Sequence, residues 1–237
     1  MIKIENLRKS FGKNQVLKGI NQEIALGSIV VLIGASGSGK STLLRCLNRT
    51  EVPTSGRILL NNQPLNYKNV NDGQTVSGMV FQDFNLFPHL TVLENLTIAP
   101  IKVKKIKPIQ AEKTARDLLK QFGLANKAMA YPRHLSGGEK QRVAICRELA
   151  MAPKLILFDE PTSALDPEKV HELAEIILHL KKTGMTQFIV THNIEFAMDV
   201  ADEIWFMKKG RVVLSGPPAK MWRQAKTDPL LKNYFAN

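Results

Sequence analysis

The residues with the clearest chemical potential in this sequence form a glycine-rich segment that ends in a lysine and two hydroxyl residues. Residues 34–42 read Gly-Ala-Ser-Gly-Ser-Gly-Lys-Ser-Thr and fit the pattern G-x-x-x-x-G-K-[ST]. In that pattern the glycines let backbone N–H groups close around a phosphate, the lysine (Lys40) reaches the β and γ oxygens, and the Ser41 hydroxyl can bind Mg²⁺. The segment therefore predicts a site for a nucleoside triphosphate.

The residues on either side of this segment have the patterns of a strand and a helix. Residues 28–33 form a short apolar, β-branched run, which is typical of a buried parallel strand. Leu43, Leu44 and Leu47 repeat at helical spacing after the loop. A flexible glycine-serine turn is the alternative interpretation. The strand–loop–helix order favours a phosphate loop, because a helix N-terminus attracts anions.

Two adjacent carboxylates follow another buried strand. Residues 155–158 are apolar, and Asp159 and Glu160 come directly after them. In phosphoryl transfer one such carboxylate can hold Mg²⁺ while the other polarises the attacking water. The alternative is a pair of solvated turn acids. His192 follows the predicted strand 187–191 and is a candidate contact of a terminal phosphate, although an isolated histidine is more often structural.

Three further polar or aromatic positions are candidates for ligand contacts. Gln82 follows the predicted strand 76–81, at the strand end where ligands collect in open α/β sheets. Ser136 and two glycines precede a helical pattern, which gives either a second anion site or an ordinary N-cap. Phe11 lies in a turn before the phosphate loop, where it either stacks on an adenine base or belongs to the core.

The elements that must position these residues alternate between strands and helices, except in one long segment. Residues 84–151 show helical patterns only, beginning with a capping box at Thr91 and Glu94. The predicted fold is α/β, with a mostly parallel core sheet, an antiparallel β subdomain and an inserted α-helical subdomain. We expect a single domain over residues 1–237, in which 1–83 and 152–237 form the catalytic core with the β subdomain and about 84–151 form the helical subdomain.

Composition and charge restrict the class of protein. The chain has 237 residues, 44% of them hydrophobic, and its apolar runs are far shorter than the ~20 residues that span a bilayer. We expect a cytosolic protein, soluble by itself, in which Cys46 and Cys146 are reduced core residues. A net charge of +12 fits nucleic acid, a membrane surface or acidic substrates. The cluster Lys102, Lys104, Lys105 and Lys107 lacks interleaved aromatics and indicates a solvated face beside lipid headgroups.

Taken in order, these segments resemble those of the ATP-binding subunit of an ABC transporter over nearly the whole chain. The matching set is Phe11 as the adenine-stacking aromatic, residues 34–42 as Walker A, Gln82 as the Q-loop, residues 135–139 (Leu-Ser-Gly-Gly-Glu) as the signature, residues 155–160 as Walker B, residues 163–166 as the D-loop and His192 as the switch histidine. Within that family, residues 78–95 look most like subunits that energise bacterial uptake of polar amino acids.

The resemblance implies a set of roles for these residues. Two subunits, identical or similar, would pair head to tail around two ATP molecules, and the catalytic residues would be Glu160 as general base, His192, Gln82 and Lys40. Ser41, Gln82 and Asp159 would arrange Mg²⁺. The nucleotide would contact Phe11, Val16, Gly34, Ala35, Ser36, Gly37, Ser38, Gly39, Lys40, Ser41 and Thr42 of one subunit and Ser136, Gly137, Gly138 and Asp166 of the other.

The resemblance also implies partners and a location. The subunit would bind membrane permease subunits at the cytoplasmic face of the cell membrane, with a substrate-binding protein acting through the permease and no nucleic acid. The Gln82 region and the helical insert would face the permease.

Some residues depart from the family pattern, and several alternative functions stay open. Phe11 stands where tyrosine is frequent and Asn193 where an acidic residue is usual, while residues 146–149 and the tail after Ser215 also diverge. The alternatives are an ABC subunit for a different solute, a soluble ABC ATPase acting on nucleic acid, a P-loop kinase and a structural nucleotide switch. The kinase leaves the signature and Glu160 without roles, and the switch does not need Glu160.

Overall fold

The computed structural model describes residues 1–67, 76–163, 165–227 and Tyr234. Ala164 of the predicted D-loop and the rest of the tail after residue 227 lie outside the described residues. The strands are β1 Ile2–Phe11, β2 Asn14–Ile24, β3 Ile29–Ile33, β4 Ser55–Leu60, β5 Gln63–Pro64, β6 Ser77–Val80, β7 Leu155–Asp159, β8 Thr186–Val190, β9 Glu203–Lys208 and β10 Arg211–Gly216. The helices are α1 Lys40–Leu47, α2 Val92–Lys102, α3 Pro108–Gln121, α4 Gly137–Ala150, α5 Pro167–Lys182, α6 Ile194–Val200 and α7 Pro218–Ala225.

The larger sheet is mostly parallel, as predicted. Its order is β10-β9-β3-β8-β7-β6, and only β10 pairs antiparallel to its neighbour. All five residues of β3 and all five of β8 are buried, because helices and the second sheet cover both faces. The carboxyl ends of β3, β7 and β8 therefore meet at one edge, where the phosphate loop, Glu160 and His192 follow.

The smaller sheet is antiparallel, which confirms the predicted β subdomain. Its order is β2-β1-β4-β5. Asn61 and Asn62 join β4 to β5 in a hairpin, and both residues have the positive φ that such a turn requires, 51° and 65°. Gly56 is the second residue of β4. Gly56 has φ 80°, and a Cβ there would meet the Asn6 carbonyl oxygen at 2.3 Å.

Strand β3 divides the apolar interior into two clusters. Val31 and Ile33 pack with residues of the helices α2 to α6, whereas Val30 and Leu32 pack with α1 and the antiparallel sheet. This alternation follows from the two-residue period of a strand. The phosphate loop, which continues β3, is thus held by apolar layers on both sides.

The segment between β6 and β7 carries α2, α3 and α4, as the helical patterns predict. The predicted capping box opens α2: the Thr91 hydroxyl accepts from Glu94 N at 3.2 Å, and the Glu94 carboxylate accepts from Thr91 N at 2.7 Å. Lys104 differs from the predicted solvated face, because its ammonium donates to the Met151 carbonyl oxygen at 2.5 Å just beyond α4. Lys104 thus donates a hydrogen bond to a carbonyl group at the C-terminal end of α4.

The two cysteines are free and buried, as expected. Burial raises the pKa of Cys46 to about 12 and raises the pKa of Cys146 as well. Both thiols are therefore unreactive core groups at neutral pH. Within the described ranges, the structure has no helix long and apolar enough to cross a membrane.

Candidate nucleotide-binding site

The phosphate loop connects the end of β3 to the first residue of α1. Its lysine is already held by the protein: Lys40 Nζ donates to the Gly34 carbonyl oxygen at 2.7 Å and to the Ala35 carbonyl oxygen at 3.2 Å. Gly34 has φ 152°, and a Cβ there would meet the Met207 carbonyl oxygen at 2.2 Å. Only glycine fits this start of the loop, which explains the first residue of the motif.

A cavity of about 530 Å³ lies over the loop. Its lining combines the loop with residues far away in sequence: Val16, Gly34, Ser36, Gly37, Gly39, Lys40, Ser41, Thr42, Glu160 and His192. The size is in the range of small-molecule sites. The Lys40 ammonium and the N-terminus of α1 favour an anion there. The structure therefore brings together the predicted phosphate loop, the predicted base and the predicted histidine.

Glu160 and His192 touch each other across the ends of two adjacent strands. Glu160 follows β7 with φ 48°, and its backbone N–H donates to the Val190 carbonyl oxygen at 2.8 Å. His192 Nδ1 lies 2.9 Å from Glu160 Oε2, and His192 N donates to the same oxygen at 3.2 Å. An ionised carboxylate can only accept, so Nδ1 carries the hydrogen in this pair. The contact fixes the carboxylate while leaving its second oxygen available.

Burial and neighbouring charges shift the pKa values of both Lys40 and Asp159, and each of the two groups affects the other. Burial raises the pKa of Asp159, Glu160 raises it further, and the nearby Arg45 and Lys40 oppose the shift. Burial lowers the pKa of Lys40, against the opposite effect of Glu160 and Asp159. Among the described residues, no group of three His, Cys, Asp or Glu side chains converges on a metal position.

The signature segment forms the start of α4 and, within the described residues, does not line the phosphate-loop cavity. Ser136 is the N-cap: its hydroxyl accepts from Glu139 N at 3.3 Å, and Glu139 Oε2 accepts from Ser136 N at 2.8 Å. Lys127 pairs with Glu139 at 2.9 Å. These hydrogen bonds, first to Ser136 N and then to Lys127, lower the pKa of Glu139. Outside its chain neighbours and the backbone of its own helix, no atom lies within 4 Å of the Cβ position of Gly137, so the turn is open to an incoming group.

The remaining predicted contacts also lie outside the cavity lining. Gln82 is exposed in the turn after β6. Asp166 caps α5, where its side chain accepts from Lys169 N at 2.9 Å. Phe11 ends β1 with 48% of its surface exposed, and the Lys9 ammonium lies 4.9 Å from its ring centroid. This exposure excludes the interpretation of Phe11 as a core residue.

Sequence reasoning missed one direct contact with the phosphate loop. The Tyr234 hydroxyl accepts from Gly34 N at 3.0 Å and donates to the Gly34 carbonyl oxygen at 3.1 Å. Its ring packs edge-on against Phe206, with the centroids 5.2 Å apart. No local pattern around Tyr234 could have indicated this contact, because the two residues are 200 positions apart.

The structure explains how asparagine is accommodated at position 193, where the family usually has an acidic residue. Asn193 is the N-cap of α6, and its side-chain oxygen accepts from Phe196 N at 2.9 Å. Asparagine and aspartate serve equally well at this position of a helix. The change of residue therefore leaves the cap next to His192 intact.

Comparison with known proteins gives consistent results along the chain. The pattern that defines the ABC transporter family matches residues 17–163. The glutamine transport ATP-binding protein of Geobacillus stearothermophilus is 49% identical over 230 residues, covering 96% of this chain and 95% of that protein. The arginine transport ATP-binding protein of Bacillus subtilis (strain 168) is 51% identical over 229 residues, with coverage of 96% and 95%.

Two solved structures extend the likeness to the fold. One is cbiO1 from Clostridium perfringens, part of the ABC transporter complex cbiONQ, with a TM-score of 0.85, 32% identity and coverage of 100% of this chain and 98% of that one. The other is a dimeric ATP-binding cassette in a post-hydrolysis state bound to ADP and Pi, with a TM-score of 0.78, 34% identity and coverage of 92% and 99%. By sequence, fold and the arrangement of its phosphate loop, the chain belongs to the ABC transporter family, as one of its ATP-hydrolysing cassettes.

Proposed function

We propose that this chain is the energy-coupling subunit of an importer for polar amino acids. The observation that carries the proposal is that the phosphate loop, Glu160 and His192 line the same cavity. The solute class is supported by relatives near 50% identity that are named for glutamine and arginine transport. Another relative, which is 49% identical over 230 residues, is named for glutamate transport.

The chemistry follows from what each side chain contacts. Lys40 would exchange the carbonyl oxygens of Gly34 and Ala35 for the β and γ oxygens of ATP. Glu160 would take a proton from the attacking water through its free oxygen, while His192 keeps the carboxylate in place and faces the γ-phosphate. The change would be phosphoryl transfer to water, so the proton on Glu160 would return to phosphate or solvent.

A metal ion would be held by few protein groups. Mg²⁺ in nucleotide sites usually binds one or two carboxylates and hydroxyls together with the phosphates. Ser41, Asp159 and Gln82 offer such a set, and a cation would offset the unfavourable burial of the Asp159 carboxylate. When bound, the ion neutralises charge on the β and γ oxygens. Phosphate binding and proton transfer would be carried out by side chains of the protein.

A second subunit would complete the site. The signature turn lies outside the cavity lining and the Gly137 position is open, so Ser136, Gly137 and Gly138 of one subunit are available for the ATP held by another. Asp166 would contribute at the same boundary. Phe11 and Val16 would contact the adenine end of the nucleotide, since Phe11 is exposed and Val16 lines the cavity. The dimeric cassette with ADP and Pi supports this arrangement.

The helical insert is the proposed contact of the permease. We assign 1–83 and 152–237 to the catalytic core with the β subdomain and about 84–151 to the helical subdomain. Phe87, Met129 and Tyr131 of the helical subdomain are large apolar residues with 43%, 69% and 38% of their surface exposed. A protein partner that packs on this subdomain would cover these side chains. The subunit would lie at the cytoplasmic face of the cell membrane, bound through the permease, with a binding protein that delivers the amino acid.

Replacing Glu160 by glutamine tests this function. The amide keeps the shape of the side chain and loses the base, so we expect ATP binding to persist while hydrolysis falls by about a hundredfold or more. The variant should accumulate as an ATP-bound dimer in size-exclusion chromatography. Glu175→Gln is the matched control, because the Glu175 side chain is 73% exposed and pairs only loosely with His171, at 3.8 Å. Wild-type hydrolysis by the Glu160→Gln protein would contradict the proposal.

A further inference from the structure

Helix α4 has polar residues with distinct contacts at both of its ends. Ser136 caps its first turn, and Arg147 and Glu148 lie in its last turn. Fourteen residues of helix span roughly 21 Å, so the two ends are well separated. A side chain in the last turn can therefore contact, and hold in position, a segment that the signature turn does not reach.

Arg147 binds the turn that follows Gln82. Its Nη1 donates to the Asn85 carbonyl oxygen at 2.6 Å, and its Nη2 donates to the Phe84 carbonyl oxygen at 3.4 Å. Phe84 and Asn85 both have positive φ, 60° and 47°. Such conformations are uncommon for residues other than glycine and persist only where their surroundings hold them. The guanidinium provides that hold by binding both carbonyl groups.

Glu148 completes the contact on the strand side of the same turn. Its Oε1 accepts from Arg147 Nε at 3.1 Å, and its Oε2 accepts from Met79 N of β6 at 3.2 Å. The two side chains are only 11% and 18% exposed, so water screens their attraction little. A Cβ at Gly78 would lie 2.9 Å from Glu148 Cβ, so the glycine provides the room for the carboxylate.

We propose that Arg147 and Glu148 are positioning residues that fix the Gln82 turn to helix α4, so that the signature and the Q-loop move as one body when ATP brings two subunits together. We call this pair the brace. The proposal rests on the proposed function for the role of the dimer. Both ends of the Gln82 segment are held: Met79 before it and Phe84 and Asn85 after it are bound to neighbouring residues of one helical turn.

The brace gives a structural role to Arg147 and Glu148, two of the four residues at 146–149 that diverge from the family pattern. The Glu148 side chain is only 18% exposed, and such a position is costly for a carboxylate unless it is both paired and hydrogen-bonded. Here Arg147 supplies the opposite charge and Met79 N supplies the hydrogen bond. Removing either partner breaks a complete network, so the effect of a substitution is expected at the Gln82 turn rather than at the phosphate loop.

Hydrogen–deuterium exchange at residues 82–86 tests the brace, first in the nucleotide-free protein. Glu148→Ala removes the acceptor of Met79 N and the partner of Arg147, so we expect these amides to exchange roughly tenfold faster, as the loss of one charge-assisted hydrogen bond implies. Arg116→Ala is the control, since it breaks an exposed ion pair with Glu112 on α3 and should leave residues 82–86 unchanged. Arg147→Lys keeps the charge and reaches at most one carbonyl, and it replaces Glu148→Ala if that protein does not fold.

The second measurement adds MgATP in a Glu160→Gln background, where dimers should persist. We expect dimer formation to slow exchange at residues 82–86 when the brace is intact, and this protection to be lost with Glu148→Ala although the dimer still forms. A merely structural role would change the melting temperature and leave the ATP-dependent protection in place. Glu148→Gln should restore part of the protection, because its side-chain oxygen still accepts from Met79 N.

The outcomes separate the two proposals. Unchanged exchange in the nucleotide-free variants, or full ATP-dependent protection without the brace, overturns the inference. If Glu160→Gln alone forms no dimer with MgATP, the proposed function fails, and the nucleotide-free measurement alone decides whether Arg147 and Glu148 hold the turn.

Discussion

At the scale of single residues, the phosphate loop is arranged so that its lysine has partners before any nucleotide binds. Lys40 donates to the carbonyl oxygens of Gly34 and Ala35, and the Tyr234 hydroxyl binds the same Gly34 carbonyl. When Lys40 turns to a phosphate, the Gly34 oxygen keeps a donor in Tyr234. The cost of leaving a buried carbonyl without a hydrogen bond is thereby avoided.

Phe11 gives a prediction at the same scale. If its exposed ring stacks on adenine, Phe11→Ala weakens ATP binding by roughly 1–3 kcal/mol, by analogy with base–aromatic stacking. Discrimination between ATP and GTP should hardly change, because stacking reads no base edge. The melting temperature should stay the same, since 48% of the residue is exposed. Titration with a fluorescent ATP analogue and thermal unfolding measure both quantities.

Phe87→Ala is the matched control for Phe11. Phe87 has a similar exposure, 43%, but lies beside α2, where its backbone N–H donates to the Asn95 side chain, so its removal should leave ATP affinity unchanged. Normal ATP binding by Phe11→Ala would rule out the stacking role.

At the scale of elements, the cap of α6 connects helix stability to the position of His192. Asn193→Ala removes the acceptor of Phe196 N, and the expected loss in the free energy of unfolding is about 1 kcal/mol. Asn193→Asp keeps an acceptor at the same place and should retain both stability and ATP hydrolysis. Urea unfolding of the three proteins measures the difference. Equal stability of the alanine and aspartate variants would show that the cap contributes nothing.

Elements with strong local signals could be predicted from the sequence. Strands β3 and β7 are short apolar runs, and α2 and α4 each begin with a capping box whose bonds the structure contains. Helix α6 was missed because seven residues make only two turns, too few for a clear helical period. The contact of Lys104 could not be predicted, because nothing in the sequence indicates that its ammonium binds the Met151 carbonyl oxygen at the end of α4.

At the scale of the whole molecule, the chain has two separate helix starts that suit anions, one at Lys40 and one at Ser136. If they meet across a dimer, a subunit with Lys40→Ala and a subunit with Ser136→Arg place both lesions in one of the two sites. The other site is then complete. We expect the mixture of the two inactive variants to bind about one ATP tightly per heterodimer.

Nucleotide count and ATP-dependent dimer formation, measured for each variant alone and for the mixture, check this expectation. Heterodimers that form but bind no more ATP than either parent would exclude a site shared between subunits. A mixture of two proteins that both carry Lys40→Ala is the control for nonspecific recovery.

The parts of the candidate site differ in how far sequence could predict them. The loop residues and the carboxylates stand in compact motifs, so their types and order were sufficient to indicate the chemistry. Contacts between distant residues leave no such pattern: Tyr234 lies 200 positions from Gly34, and Arg147 lies 62 positions from Asn85. Their partners are set by the packing of the tail and of α4, which a single sequence does not contain.

Glu148 also affects how this protein behaves in a crowded solution. Strand β6 is the outer strand of the described six-stranded sheet and has only four residues. An outer strand with free N–H groups is a template on which a strand of another molecule can pair, and aggregates begin in this way. The Glu148 carboxylate accepts from Met79 N, so this N–H of the outer strand is not available to another molecule. We therefore expect the Glu148→Ala protein to self-associate more readily on heating, which light scattering would measure.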